Sequence, residues 1–346
     1  KIQYHMEKLP QKPELTFKMY ELISGYWVAS CIRSAVQLDI ADKLLSGPKT
    51  LSQLAIETEC DEKSLYRLLR AITSVGIFNE KEDGAFELND LGAVLLSDVP
   101  GSVKPWALAN LGEHYPAFGE LTYGVKTGKV PFEHAHGIPV WEYYKQNPEA
   151  GMNLAKAMAG MSGAVLKTII DTYDFSSYKT LVDIGGGNGA LMFAVLNASS
   201  ESTGIIFDEP YVIQQTALLI PEDLKERCTV FGGSFFEEIP AGADLYTTKW
   251  VIHDWNDEEA IKILSNVYKA MPTGGRLLII DSVIPDDSRN TPHAGKLLDI
   301  NIMAMTTGKE RTLNEFKVLI EKAGLTFKRL IQTDTEVSSI VECEKV

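Results

Sequence analysis

From Tyr178 onward the chain alternates strand-like apolar runs with helical runs, and it then ends on two strands in succession. No other feature limits the possible folds as tightly. Strands are expected at Thr180–Ile184, Gly204–Phe207, Thr229–Gly232, Asp244–Lys249 and Arg276–Asp281. Helical stretches at 189–198, 210–219 and 257–270 lie between them. Strand, helix, strand in repetition builds a doubly wound α/β fold around a parallel sheet. After a helix at 312–323, Thr326–Gln332 and Ser338–Glu344 follow each other too closely for a crossover. Those two strands must therefore be antiparallel. The expected sheet is mostly parallel with an antiparallel terminal strand.

The first part of the chain has a different rhythm. Residues 14–46 carry Leu15, Met19, Leu22, Ile23, Tyr26 and Trp27 at helical spacing, and Ala35–Ala41 continues that face up to Gly47-Pro48. Thr50 can cap a short helix, and Asp61 can cap the helix through Ser64–Ile72. Asp83-Gly84 then sits between two short apolar runs, a hairpin signal. Helix, turn, helix and hairpin is the winged-helix order. Three regions result: a mainly helical winged-helix domain over 1–101, a helical linker over 102–170, and a sheet domain over 171–346.

A winged helix can read DNA, but its second helix offers only Lys63, Arg67 and Arg70 in a chain of net charge −14. An acidic chain is repelled by phosphate backbones and anionic lipids, so no nucleic acid and no membrane partner are expected. No run reaches the roughly 18 apolar residues of a membrane span, and no basic-then-apolar segment stands at the start. Cys31, Cys60, Cys228 and Cys343 are scattered without a C-x-x-C pair, which fits reduced thiols in a cytoplasmic protein and no metal site.

The linker is rich in aromatic residues and methionine, including Trp106, Tyr115, Phe118, Trp141, Tyr143, Tyr144, Met152, Met158 and Met161. These either fill a core or wall a substrate pocket, and both readings are open at this point.

Chemistry concentrates in three blocks. Val182-Asp183-Ile184-Gly185-Gly186-Gly187-Asn188-Gly189 follows a strand and opens a helix, where glycines let a ligand approach the backbone. Asp208, about twenty residues on, can hold ribose hydroxyls. A nicotinamide enzyme would share both features. Asp183 ahead of the glycines favours a cationic ligand over a pyrophosphate, and the terminal antiparallel pair departs from a dinucleotide fold. The second block, Lys249-Trp250-Val251-Ile252-His253-Asp254-Trp255, puts His253 at the carboxyl edge of the sheet, where it could serve as a base. Asp281 and Glu310, the latter in Gly308-Lys309-Glu310-Arg311-Thr312, are the acids that could orient it.

These blocks, with Phe207-Asp208-Glu209-Pro210, occur in the order seen in the small-molecule S-adenosylmethionine-dependent O-methyltransferase family, typified by plant caffeic acid O-methyltransferases and their bacterial relatives. The chain resembles that family over nearly its whole length. The resemblance implies an N-terminal winged-helix dimerisation domain, a C-terminal class I Rossmann-like methyltransferase domain, and a homodimer acting on a small hydroxylated substrate.

It further implies that Gly185 contacts S-adenosylmethionine through its backbone, that Asp208 holds the ribose, and that Lys249 lies near the adenosine. His253 becomes the general base, flanked by Asp281 and Glu310. Asp183, Gly187, Glu209, Ser234 and Phe235 complete the expected cofactor site. Met158, Met161, Asp254, Asn301 and Met305 are the expected substrate contacts, with no metal.

Three positions depart from the family pattern. Glu209 stands where Leu is frequent, and Ser234 stands where an Asp usually binds the adenine amine. Asp281 is one methylene shorter than the Glu common in the plant enzymes. The expected reaction is O-methylation of an aromatic hydroxyl. Alternatives are N-methylation, a non-methylating reaction on the same cofactor site, or a winged-helix regulator that senses a ligand.

Overall fold

The computed structural model describes residues 12–346. The chain forms two compact units, Lys1–Gly112 and Glu113–Val346. Residues 113–170 of the expected helical linker fall within the second unit.

In the first unit the helix Pro13–Gln37 is followed by the short helix Ile40–Leu44, Leu51–Glu57 and Glu62–Thr73. Thr50 caps Leu51–Glu57 in a capping box with Gln53, and Asp61 caps Glu62–Thr73 by accepting from the Ser64 amide. Strands β1 (Asn79–Glu80) and β2 (Phe86–Glu87) form the hairpin around Gly84, whose φ of 79° needs glycine. Lys49 makes a single antiparallel bridge to Phe86.

The expectation of one helix through 14–46 is corrected here. The helix stops at Gln37 because Asp39 is left-handed at φ 55°. That turn drives Ile40, Ala41 and Leu44 into the core at 0%, 4% and 1% exposure, which a straight helix would not do. Asp39 pairs with Lys104 Nζ at 2.5 Å across the bend.

The second unit is built on a seven-stranded sheet. Its strands are β3 (Thr180–Ile184), β4 (Thr203–Asp208), β5 (Cys228–Gly232), β6 (Leu245–Lys249), β7 (Arg276–Asp281), β10 (Thr326–Gln332) and β11 (Ser339–Glu344). The order is β10-β11-β7-β6-β3-β4-β5. All neighbours are parallel except β11, which runs antiparallel to both β10 and β7. The mostly parallel sheet with its antiparallel terminal strand matches the expectation. Two further short strands, β8 (Val283–Ile284) and β9 (Arg311–Thr312), pair parallel to each other.

Apolar clusters cover both faces of the sheet. Tyr246, Ile263, Leu264, Val267, Phe316 and Ile320 lie in one, and Ile169, Leu191, Val195, Leu196, Leu278 and Ile340 in the other. Strands buried on both faces read as continuous apolar runs, which is why they were legible.

Winding reverses between β3 and β6: β4 and β5 extend to one side, β6 and β7 to the other. A crevice opens at the carboxyl ends at such a switch point. The register places its residues. Ile184 pairs with both Phe207 and Thr248, and Lys249 pairs with Ile280. Gly185, Asp208, Lys249 and Asp281 therefore arrive at one edge within about a residue of each other.

Candidate active site

Gly185 leaves β3 with φ 66°, and a Cβ there would lie 2.6 Å from Val251 Cγ2. Glycine is thus needed twice over: for the turn, and for the approach of the segment that follows β6. Gly187 has φ 53° with nothing within 4 Å of its missing Cβ, so the space beside its Cα is open. Its amide donates to Asp208 Oδ2 at 2.9 Å, while the Glu209 amide donates to Asp208 Oδ1 at 2.7 Å. These bonds aim the Asp208 carboxylate over the glycine turn, although burial raises its pKa. Asp183 is buried beneath the turn and accepts from Thr247 Oγ1 at 2.7 Å. Burial pushes it up to about 6, against the Thr247 bond and the Lys249 charge.

Lys249 ends β6. Its Nζ donates to Ser162 Oγ at 2.8 Å and lies 3.8 Å from the Trp250 ring centre. Burial lowers it to about 8, although Asp183 and Asp281 pull the other way. Ser162 belongs to the helix Pro148–Thr172 and follows Met161 directly, with Met158 one turn before it. The Lys249–Ser162 bond therefore anchors that part of the helix at the sheet edge. Ser234 and Phe235 follow β5 at the same edge. Ser234 Oγ accepts from the Phe236 amide at 3.3 Å, and Phe235 packs edge-on against Trp255.

The chain then bends sharply. Trp250 has φ 55°, a conformation costing an L-residue of its bulk roughly 1–2 kcal/mol. Its amide donates to Ile280 O and its indole to Val337 O, which hold it there. The bend launches the 3₁₀ turn Ile252–Asp254.

His253 in this turn is 8% exposed. Its Nδ1 lies 2.7 Å from Glu310 Oε1, while Nε2 is 3.8 Å from Asp254 Oδ1, beyond hydrogen-bond reach. Burial alone would lower the imidazole pKa. Glu310, Asp254 and Asp281 outweigh it and hold His253 well above its ordinary value of 6.5. Burial in turn pushes Asp254 up to about 6 and Asp281 to about 7, opposed by His253.

Of the two acids expected to hold the histidine, Glu310 makes the bond. Asp281 is 0% exposed and neither of its oxygens has a partner among the described residues. Asn301 and Met305 lie on the helix Ala294–Met305; Met305 is buried against Ala304, Phe132 and Tyr144.

Sequence reasoning missed Ser162, Arg311 and Gly308. Arg311, fully buried, donates to Ile252 O at 3.1 Å and to Trp255 O at 2.8 Å. The G-K-E-R-T block itself was the available signal, since a glycine and an arginine flank its acid.

A seven-stranded sheet of this order, with a glycine turn and an acid at its switch point, defines a class I methyltransferase. Two family models match the chain, the O-methyltransferase domain over residues 118–326 and the O-methyltransferase dimerisation domain over 20–98. The chain belongs to the S-adenosylmethionine-dependent O-methyltransferase family.

The phenazine O-methyltransferase PhzM of Lysobacter antibioticus is 37% identical over 329 residues, spanning 95% of this chain and 96% of that protein. The crystal structure of LaPhzM superposes with a TM-score of 0.91 at 37% identity, covering 98% of this chain and 100% of that one. CalO1, a methyltransferase of calicheamicin biosynthesis solved with S-adenosylhomocysteine, gives a TM-score of 0.82 at 29% identity, covering 98% of this chain and 100% of that one. The 8-amino-8-demethylriboflavin N,N-dimethyltransferase of Streptomyces davaonensis is 31% identical over 348 residues, or 96% of this chain and 97% of that protein.

Proposed function

We propose that this enzyme methylates a hydroxyl group on a small aromatic metabolite, with His253 as general base. The observation that carries the reading is the His253–Glu310 pair at the sheet's carboxyl edge. The glycine turn and Asp208 beside it support a cofactor site: nothing crowds the Cα of Gly187, and Asp208, held by the Gly187 amide, stands over the turn. Gly185, Gly187, Asp208, Glu209, Ser234, Phe235 and Lys249 form the cofactor site in this reading, with Asp183 buried behind it. When bound, S-adenosylmethionine supplies a methyl group on a sulfonium centre.

The chain's own part is to position a hydroxyl and remove its proton. Glu310 accepts the Nδ1 hydrogen, which leaves the Nε2 lone pair as the free base. A phenol titrates near ~10 and a free imidazole near ~6.5, so an unassisted transfer is uphill by about 5 kcal/mol. The carboxylates around His253 raise its basicity and narrow that gap. Asp281, pushed up to about 7 by burial, adds to that charge in its ionised form. Met158, Met161, Asp254, Asn301 and Met305 are the proposed pocket wall.

The aromatic substrate is supported by the phenazine enzyme's name and by the aromatic-rich segment before the sheet. The riboflavin-type relative acts on nitrogen. A strengthened base favours oxygen here, because a hydroxyl must lose its proton and a neutral aromatic amine need not.

The helix Pro13–Gln37 exposes Leu15, Phe17, Met19, Tyr20, Leu22, Ile23, Tyr26 and Trp27 at 54% or more each. Within a unit that matches the dimerisation model, this face supports a homodimer. No helix among the described residues is long and apolar enough to cross a membrane.

Calorimetric titration with S-adenosylmethionine and S-adenosylhomocysteine tests the reading. Micromolar binding of both is expected. Absence of binding, with no cofactor carried through purification, would overturn it.

A further inference from the structure

We propose that Arg311 and Gly308 are positioning residues that fix the His253 turn, so that the segment 308–311 works as one clamp on the base. The proposal rests on His253 being that base. Its observations are independent of that reading.

The turn Ile252–Asp254 is short and is preceded, two residues earlier, by the strained Trp250. Nothing in its own sequence would hold one imidazole orientation. Arg311 supplies the hold. Its Nη1 donates to Ile252 O at 3.1 Å, just before His253, and its Nη2 donates to Trp255 O at 2.8 Å, two residues after it. One planar guanidinium thus ties both ends of the turn, which a lysine's single ammonium cannot copy.

Arg311 is itself fixed. Its Nε and Nη2 both donate to Asp257 Oδ1 at 3.1 and 2.9 Å, its Nη1 reaches Lys309 O, and its backbone pairs with Val283 in β8, two residues past Asp281. At 0% exposure among carbonyls and one carboxylate, this arginine is expensive to bury unless its geometry matters.

Gly308 acts from the other side. A Cβ on it would lie 1.9 Å from His253 O, 2.4 Å from Asp254 C and 2.6 Å from Trp255 N, all backbone atoms. Only a glycine lets the segment run flush against the turn, and that contact sets where Glu310 meets Nδ1. The Glu310 amide is fixed too, donating to Asp299 Oδ1 at 2.9 Å. In succession, then, Gly308 gives the approach, Glu310 the orienting carboxylate and Arg311 the tie.

The test is Gly308→Ala, with kcat measured against pH and S-adenosylhomocysteine affinity measured alongside. A displacement of about an ångström at the base costs roughly 10²-fold in kcat, while cofactor affinity stays within about twofold. The acidic limb of the profile moves to lower pH, because Glu310 no longer sits on Nδ1.

Asp257→Asn removes the charge behind Arg311 at a half-exposed position and serves if Gly308→Ala does not fold. It shows the same shift with a smaller loss, about tenfold or less. An unchanged limb with unchanged kcat in the folded variant overturns the proposal, as does a loss of cofactor affinity that parallels kcat. Failure of the base assignment shows separately, as turnover retained in His253→Ala.

Discussion

Glu310 Oε1 stands 2.7 Å from His253 Nδ1, and His253 Nε2 is left without a hydrogen-bond partner among the described residues. One acid thereby engages Nδ1 and leaves Nε2 free. His253→Ala is expected to lower kcat by about 10²–10⁴-fold, the range of general-base catalysis, with little change in cofactor affinity. Steady-state kinetics beside calorimetry checks this.

The pH dependence has a definite sign. The surrounding carboxylates raise His253 above 6.5, so its free-base form is lost as pH falls through that raised value. kcat/KM should therefore keep climbing with pH above 6.5. Glu310→Gln removes the strongest of these charges, so the rising limb moves to lower pH and the maximal rate falls. A limb that stays in place in Glu310→Gln would show that the acid does not set the basicity of His253.

Gly185→Ala introduces a Cβ at 2.6 Å from Val251 Cγ2 on a residue with φ 66°. The left-handed strain alone costs roughly 1–2 kcal/mol. Both thermal stability and cofactor affinity should drop, as measured by a melting curve with and without S-adenosylhomocysteine. Gly187→Ala meets no neighbouring atom, so its loss should be smaller.

Ser234 has only the Phe236 amide as a side-chain partner among the described residues. Where relatives of the caffeic acid type are expected to place a carboxylate, Ser234→Asp should tighten cofactor binding by about a kcal/mol, the gain of a charge-assisted bond. Calorimetry reads it directly.

The exposed apolar face of Pro13–Gln37 gives an association test. Ile23→Glu with Trp27→Glu should shift light-scattering mass from a dimer toward a monomer, since both are more than half exposed and apolar.

Much of this was legible in the sequence. β3, β7 and the helix Pro210–Leu219 fall at the expected bounds, because buried strands and proline-started helices leave strong local signals, and the edge strand β10 falls there too. The bend at Asp39 was not, since it depends on Lys104, far along the chain. His253 and Glu310 were legible as types at an edge. The choice of Glu310 over Asp281 was not, because it turns on reach across space. Arg311 was hidden for the same reason: its partners Ile252 O and Trp255 O are carbonyls, which no side-chain pattern reveals.

The most direct test is incubation of the enzyme and of His253→Ala with isotope-labelled S-adenosylmethionine and a panel of hydroxylated phenazines and naphthols. Spectroscopy of the product then locates the transferred methyl. The account predicts label in an aryl methyl ether, formed by the wild-type enzyme and nearly lost in the variant. Label on nitrogen, or equal turnover without His253, would contradict it.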